Sequence, residues 1–236
     1  MECLLNTSKF YGWKHLVYFP DVGSNVEIVA DLIHKLTGKS FNPKERNVIK
    51  DREIRSSLDW IFQHFHILTK KDVKAKMTPF QFYDYAVELK QKSGLQTASI
   101  DSWKDLSHPY HEFGGYAQYL EVVLPYRNQI AEDNELHLHT IIHPKLTEKI
   151  NGKRSVPSPY DLKGGSEWFN SGKCMITVHR EDLNYNQAII NFNKIKPRSA
   201  GQIGQLILWF DKEKFLYYEQ ENPAPNVYNK IYAKEK

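Results

Sequence analysis

The sequence has 236 residues, 41% of them hydrophobic and 25% charged, which provides enough apolar chain for a large core and excludes global disorder. The formal net charge of +4 permits a polyanionic partner without demonstrating one. With only two cysteines, Cys3 and Cys174, the chain has no disulfide framework and no CxxC metal site, so a reducing compartment is expected.

Strands and helices alternate through the first half of the chain. β-branched and aromatic residues that stop at Pro20 predict a strand over 14–20, and periodic apolar residues before Gly38 predict a helix over 25–38. Thr78 as N-cap and Gly94 as C-cap predict a helix over 78–94. Further predicted elements are a helix over 53–65, strands over 64–68, 95–100 and 136–144, and a helical pattern over 114–135 that is interrupted at Pro125.

The second half of the chain is dominated by closely spaced strands. A glycine-rich stretch is followed by apolar and β-branched runs over 173–179, 187–195, 204–210 and 215–219. Early alternation followed by successive strands indicates an α/β domain with a mostly parallel sheet and an antiparallel flank.

Polar side chains follow three of the predicted parallel strands. Asp21, Asp101 and His143 each stand just after a strand. Any one of them could be an ordinary surface turn residue. Ligands gather at the carboxyl ends of strands in such sheets, and two acids with a neutral polar group are typical of nucleotide hydrolysis. In that chemistry one acid holds Mg²⁺, the other activates water, and the polar group contacts the γ-phosphate.

Three segments give the sequence a family resemblance. "SIDSWKDLSH" (99–108), "HLHTIIHPKL" (137–146) and "PSPYDLKGGSEWFNSGKCMITVHR" (157–180) resemble motifs of the RecA-type motor domain of DnaB-like hexameric replicative helicases, in the Twinkle and phage primase–helicase branch. The similarity runs from about residue 11 to residue 219. It implies a RecA-like P-loop NTPase core acting in DNA replication, with ATP and Mg²⁺ at the subunit interfaces of a ring.

The resemblance assigns roles to the residues at the nucleotide site. Asp101 resembles the Walker B aspartate that organises Mg²⁺, and His143 resembles the residue that contacts the γ-phosphate. Asp21 stands where the family usually has a glutamate as general base. "KPRSAGQIG" (196–204) resembles a hairpin that reaches the neighbouring subunit's nucleotide, which makes Lys196 and Arg198 trans-acting candidates.

The glycine-rich segment resembles the loop that holds single-stranded DNA in the ring's channel. The resemblance implies DNA-phosphate contacts from this loop, with Lys163 supplying positive charge. It also implies that the strand after the loop belongs to the core sheet, with Arg180 at its end close to the nucleotide. An ordinary glycine turn before a strand is the alternative. The DNA-binding candidates are Asp161, Lys163, Gly164, Gly165 and Ser166.

The phosphate-binding loop GxxxxGK(S/T) does not occur in the sequence. The segment over 1–14 resembles the second half of the helix that follows this loop in the family, so the resemblance implies a chain that begins just after it. Three explanations remain open. The gene is split or truncated, another polypeptide carries the missing half, or the ATPase has been lost and a non-catalytic remnant binds DNA or a helicase ring.

Other patterns have alternative interpretations. His137 and His139, with His143, could bind zinc or iron, although no acid or cysteine stands at ligand spacing nearby. The aromatic residues over 80–85 could stack on bases, but their spacing favours a core. The apolar strand around Cys174 predicts that this thiol is buried.

These interpretations combine into one expectation. A helicase motor domain covers residues 1–220, a polar tail covers 221–236, and the origin is a phage or mobile element. Expected partners are single-stranded DNA and either further copies of the chain in a ring or a chain carrying the Walker A half. No apolar run reaches the roughly 18 residues of a membrane-spanning helix, so no membrane partner and a cytoplasmic location are expected.

Overall fold

The structure is a computed structural model, and it describes residues 1–69, 71–72, 77–145, 149–150, 153–180 and 186–219. The chain divides into two compact units. Unit 1 comprises Met1–Leu146 and Pro159–Gly172, and unit 2 comprises Thr147–Ser158 and Lys173–Lys236. The predicted single motor domain over 1–220 remains a prediction, and the predicted tail over 221–236 lies outside the described residues.

Unit 1 alternates helices with parallel strands. Its elements are α1 Glu2–Tyr11, β1 His15–Tyr18, α2 Asn25–Thr37, α3 Asp51–His64, β2 Phe65–Leu68, α4 Pro79–Ser93, β3 Thr97–Asp101, α5 Tyr116–Asp133, β4 His137–Ile141 and α6 Gly165–Ser171.

The four strands of unit 1 form one parallel sheet in the order β2-β1-β3-β4. In the register, Tyr18 pairs with Leu68 and Ile100, and Asp101 pairs with Ile141. Parallel strands need crossover connections, and helices supply them here. The carboxyl ends of β1, β3 and β4 therefore lie side by side.

Strand β1 is buried on both faces because helices cover both sides of the sheet. Leu16 and Tyr18 pack into a core with residues of α4, whereas Val17 and Phe19 pack into a second core with residues of α1, α2 and α3. The two-residue period of a strand sends alternate side chains to opposite faces. Burying each leucine-sized side chain contributes roughly 1.5–3 kcal/mol.

Local capping signals fix the ends of two helices of unit 1. Thr78 accepts a hydrogen bond from the backbone of Gln81 at the start of α4, and Gly94 ends the helix in the left-handed conformation. Ser24 and Gly38 do the same for α2. The predicted caps at Gly38, Thr78 and Gly94 are confirmed.

Helix α5 differs from its prediction because it runs unbroken through Pro125. Leu120, Val123 and Leu124 are buried beside the proline. Their packing offsets the backbone hydrogen bond that a proline removes from a helix interior. The predicted interruption at Pro125 is therefore wrong.

Unit 2 is an antiparallel β structure. A small hairpin pairs β5 Lys149–Ile150 with β6 Lys153–Arg154. The larger sheet has the order β10-β9-β8-β7. Its strands are β7 Cys174–His179, β8 Gln187–Ile195, β9 Gly204–Asp211 and β10 Leu216–Tyr218. The α/β fold class, with a parallel sheet and antiparallel C-terminal strands, is confirmed.

Strand β7 corrects two expectations. It was expected in the core sheet with a buried thiol, but it is an edge strand that pairs with β8 alone among the described strands. Cys174 is exposed, and Ile176 and Val178 are 51% and 65% exposed. Alternation along the strand puts every second side chain on the more exposed face of its sheet.

None of the helices in the described ranges is both long and apolar enough to cross a membrane.

Candidate functional site

Three strand ends of unit 1 bring Asp21, Asp101 and His143 together. Asp21 follows β1, Asp101 ends β3 and His143 follows β4. One potential ligand atom from each lies within 4.8 Å of those of the other two. The parallel order β1-β3-β4 places residues far apart in sequence at one sheet edge, as the sequence predicts. The functional roles of these residues remain predictions.

Three polar side chains surround one carboxylate oxygen of Asp21. Lys104 Nζ lies 3.1 Å from Asp21 Oδ2, Ser102 Oγ lies 3.2 Å from it, and His143 Nε2 lies 3.3 Å from it. The hydrogen bond from Lys104 is the main cause that lowers the pKa of Asp21, and those from His143 and Ser102 add to it. Asp21 is therefore held as a carboxylate, which makes it a weak proton acceptor.

Asp101 has a different environment from Asp21. Its side chain is partly buried and, among the described residues, accepts no hydrogen bond. Burial raises the pKa of Asp101, and the nearby Asp21 raises it further, while His143 opposes the shift. A desolvated carboxylate without a partner is a suitable ligand for a cation.

A hydrated divalent cation fits this cluster. Asp21 and Asp101 carry two negative charges, and the single ammonium of Lys104 leaves a negative balance. Carboxylate oxygens are ligands that Mg²⁺ prefers, and it usually keeps several waters. His143 is better suited to a hydrogen bond than to this ion.

The phosphates of a nucleotide fit these residues less well. They require backbone amides and a lysine of the GxxxxGK(S/T) type, which the sequence lacks, and carboxylates repel them. The cluster therefore supplies the metal side of a nucleotide site without a cradle for the phosphates.

A tight turn after β3 orders this edge. Ser102 is 1% exposed, and its Oγ donates to Asp105 Oδ2 at 2.8 Å as well as lying near Asp21. Because the hydroxyl has one proton, it serves one carboxylate at a time. Trp103 is 4% exposed and anchors the turn, while the side chain of Lys104 remains 64% exposed.

The glycine-rich segment is a short 3₁₀ turn, Pro159–Asp161, followed by helix α6, so the loop expected from the resemblance becomes helical at Gly165. Lys163 is exposed, and its Nζ lies 4.4 Å above the ring of Tyr116. Ser166 is exposed as well. The backbone carbonyl of Asp161 accepts a hydrogen bond from Lys145 N at 2.9 Å.

Both glycines of this segment have a packing reason. A Cβ on Gly164, whose φ is +69°, would lie 2.6 Å from Leu120 Cδ1. A Cβ on Gly165 would lie 2.7 Å from the backbone oxygen of Pro159. These close approaches explain the glycines without DNA, so their DNA contacts remain predictions.

The remaining predicted site residues lie in unit 2. Lys196 and Arg198 are exposed in the connection between β8 and β9, which is the hairpin the resemblance predicts. Arg180 directly follows β7, and its guanidinium lies 5.8 Å from the ring centre of Phe210. Their nucleotide contacts remain predictions.

The alternative of a histidine metal site gains no support. Among the described residues, one group of potential metal ligands meets the distance criterion, and it contains His143 but neither His137 nor His139. His139 instead hydrogen-bonds through Nδ1 with Ser99 Oγ at 2.9 Å. The aromatic residues Phe82 and Tyr83 are fully buried, so they belong to the core rather than to a base-stacking surface.

Sequence reasoning missed Ser102 and Lys104 as parts of the cluster. Both follow Asp101 within the same short segment, and the lysine was visible there as a positive charge between two acids. The strand pattern could not show that the turn brings Lys104 back to Asp21.

Comparisons with known proteins support the fold. Neither a scan against protein-family models nor a search of curated proteins found a match. The solved ATPase domain of a DnaB-like helicase superposes with a TM-score of 0.71 at 13% identity, covering 92% of this chain and 78% of that domain. A second DnaB-like replicative helicase, whose structure was described with its interactions with primase, gives a TM-score of 0.63 at 15% identity.

The second match covers 87% of this chain but 51% of the helicase, so the chain spans about half the length of that protein. At these identities the comparisons establish the fold. The chain therefore has the RecA-like fold of a DnaB-like helicase ATPase domain, which confirms at the level of the fold the resemblance found in the sequence.

Proposed function

We propose that this chain is part of the ATP-dependent motor of a DnaB-like, Twinkle-type replicative helicase that acts on single-stranded DNA. The proposal is carried by one observation, the convergence of Asp21, Asp101 and His143 at the carboxyl edge of the parallel sheet. The fold shared with the ATPase domain of a DnaB-like helicase supports it.

The environments of the two acids suggest separate tasks. Asp101, partly buried and without a hydrogen-bond donor among the described residues, is the proposed ligand for Mg²⁺, directly or through water. When bound, Mg²⁺ would neutralise charge on the phosphates. Asp21 orients the attacking water, and His143 hydrogen-bonds the γ-phosphate. Because its pKa is lowered, Asp21 suits orientation better than strong general-base catalysis.

In this proposal the phosphate cradle is supplied by another segment or by a partner chain that carries the Walker A loop. Lys196 and Arg198 act on the nucleotide of a neighbouring copy in a ring, since both are exposed in the β8–β9 connection. A guanidinium is suited to this role because it stays charged and can bind two phosphate oxygens at once. Arg180 is assigned a position near the nucleotide by resemblance alone.

Single-stranded DNA is the proposed partner of the segment around Lys163. The exposed ammonium provides charge attraction, and the Ser166 hydroxyl beyond it is exposed as well. Asp161, Gly164 and Gly165 shape the segment, and their packing within unit 1 gives Lys163 a defined position.

A second candidate is a non-catalytic remnant that binds DNA or a helicase ring without hydrolysing ATP. Two observations favour it. The sequence lacks GxxxxGK(S/T), and Asp21 is both shorter than a glutamate and held by three polar neighbours.

ATP hydrolysis with a supplied Walker A loop separates the two candidates. Mg²⁺-dependent phosphate release is measured for the chain alone and mixed with a polypeptide from the same source that carries GxxxxGK(S/T). We expect little release from the chain alone, because few groups hold the phosphates, and clear release from the mixture.

Two variants control this assay. Asp101→Asn should abolish release by the mixture, whereas Asp59→Asn, at an exposed position on α3, should leave it unchanged. Equal release with Asp101→Asn would overturn the site assignment. A mixture that assembles but releases no phosphate would favour the remnant.

A further inference from the structure

Lys104 is the only residue that forms a salt bridge to Asp21 with a permanently charged side chain among the described residues. Its Nζ lies 3.1 Å from Asp21 Oδ2. The buried Trp103 and Ser102 on its N-terminal side fix the turn, so the lysine projects across the sheet edge from β3 to the end of β1. The sequence resemblance assigns no role to this residue.

The ammonium of Lys104 lies within a group of acids. Asp21 raises the pKa of Lys104 most, and Asp105 and Asp101 add to the same effect. The lysine therefore neutralises part of the negative charge at the position where a divalent cation would do the same. Because its side chain is 64% exposed, it can swing away from Asp21 into solvent without leaving a buried cavity.

A divalent cation and this ammonium cannot both lie against Asp21 without strong repulsion, since their charges would be a few ångströms apart. Asp101 accepts no hydrogen bond from the described residues, so it provides a first ligand while Asp21 is still occupied. Binding of the ion to both acids then requires the lysine to leave.

We propose that Lys104 is a built-in counter-ion of the Asp21–Asp101 pair, which a divalent cation must displace, so that this lysine weakens divalent binding and holds Asp21 in place until the ion arrives. This inference rests on the proposed metal role of Asp101. It assigns Lys104 as a positioning residue with a competitive effect on the metal.

Mn²⁺ binding to the full chain tests the inference without any nucleotide. Free Mn²⁺ is followed by electron paramagnetic resonance, with Mg²⁺ as a competitor. Lys104→Met keeps the length of the side chain and removes its charge, so Mn²⁺ should bind about tenfold more tightly. Lys104→Arg keeps the charge and should stay within about twofold of the wild type.

Matched controls define the outcomes. Lys92→Met removes an exposed lysine that is paired with Glu88 on α4, and it should not change Mn²⁺ affinity. Asp101→Asn should remove the site in both the wild type and Lys104→Met. If Asp101→Asn removes binding but Lys104→Met does not tighten it, the counter-ion inference is overturned and the metal role of Asp101 stands.

If neither the wild type nor Lys104→Met shows Mn²⁺ binding that depends on Asp101, the metal assignment fails together with the inference. A second measurement follows the lysine itself. After reductive ¹³C-methylation, the signal that is missing in Lys104→Met should shift when Mg²⁺ is added, but not in Asp101→Asn. A signal that stays fixed while Mg²⁺ displaces bound Mn²⁺ would overturn the displacement.

Discussion

The ring of Trp103 lies edge-on to the ring of Trp168, with centroids 5.1 Å apart and an interplanar angle of 86°. Trp103 belongs to the turn after Asp101, and Trp168 belongs to α6 in the glycine-rich segment. Both rings are buried, at 4% and 2% exposure. The proposed metal edge and the proposed DNA segment are thus joined through one aromatic contact inside unit 1.

Trp168→Ala should lower the free energy of unfolding by about 3–5 kcal/mol, because it leaves a large cavity beside Trp103. It also removes the ring 5.6 Å from the guanidinium of Arg127. Trp168→Phe should cost less. Urea unfolding followed by far-ultraviolet circular dichroism measures both.

Tyr11→Ala is the control for this cavity, since Tyr11 is 73% exposed and its loss should change stability by less than about 0.5 kcal/mol. If Trp168→Ala were as stable as this control, the aromatic contact would not hold α6 against the turn.

Stability should fall in mild acid because of His15. This residue is fully buried, with Nδ1 2.7 Å from Thr97 Oγ1 and Nε2 3.3 Å from Thr7 Oγ1. Burial, with a smaller effect from His139, lowers the pKa of His15 to about 4 from 6.5. The unfolded chain therefore binds more protons between those values, and the contribution present above pH 6.5 is lost as pH falls towards 4.

The loss should approach about 3 kcal/mol at pH 4. Unfolding free energies at about pH 7.5, 6.0 and 5.0 measure it. His15→Gln should be less stable at the highest of these pH values but show a shallower decline, whereas His111→Gln, at an exposed position, should follow the wild type. An unchanged slope in His15→Gln would show that other groups cause the acid sensitivity.

Elements with local signals were predictable from the sequence. Helix α4 begins after Thr78 and ends before Gly94 because capping hydrogen bonds and a left-handed glycine act within a few residues. The meeting of Asp21, Asp101 and His143 was also predictable, since the carboxyl ends of neighbouring parallel strands share one edge.

Features that depend on distant packing could not be predicted in this way. The exposure of β7 follows from its place at the edge of the antiparallel sheet, which no apolar run of residues reveals. The salt bridge of Lys104 to Asp21 needs a particular turn, and that turn is held by the distant Trp168. The start of α6 at Gly165 likewise depends on close contact with Pro159.

Gly165→Ala should destabilise unit 1 by about 1–3 kcal/mol. The new Cβ would meet the backbone oxygen of Pro159 and the Cα of Tyr160, both at 2.7 Å, and backbone atoms cannot move aside as a side chain can. Gly204→Ala is the matched control, because nothing lies within 4 Å of its added Cβ. Thermal unfolding of the two variants compares them. Equal melting temperatures would contradict the close approach, and would favour a role for Gly165 outside packing.

Lys163→Ala should weaken binding to single-stranded DNA of every sequence about equally. The ammonium is exposed above Tyr116, where it can contact a phosphate but reads no base, so the slope of log affinity against log salt should become shallower by about one contact. Fluorescence anisotropy with labelled oligonucleotides of two compositions, at several salt concentrations, measures this. Lys163→Arg should retain binding, and Lys44→Ala, at an exposed turn of the same unit, should leave the slope unchanged. Absence of binding at low salt even with the Walker A partner, or a change in sequence preference in Lys163→Ala, would contradict the backbone contact.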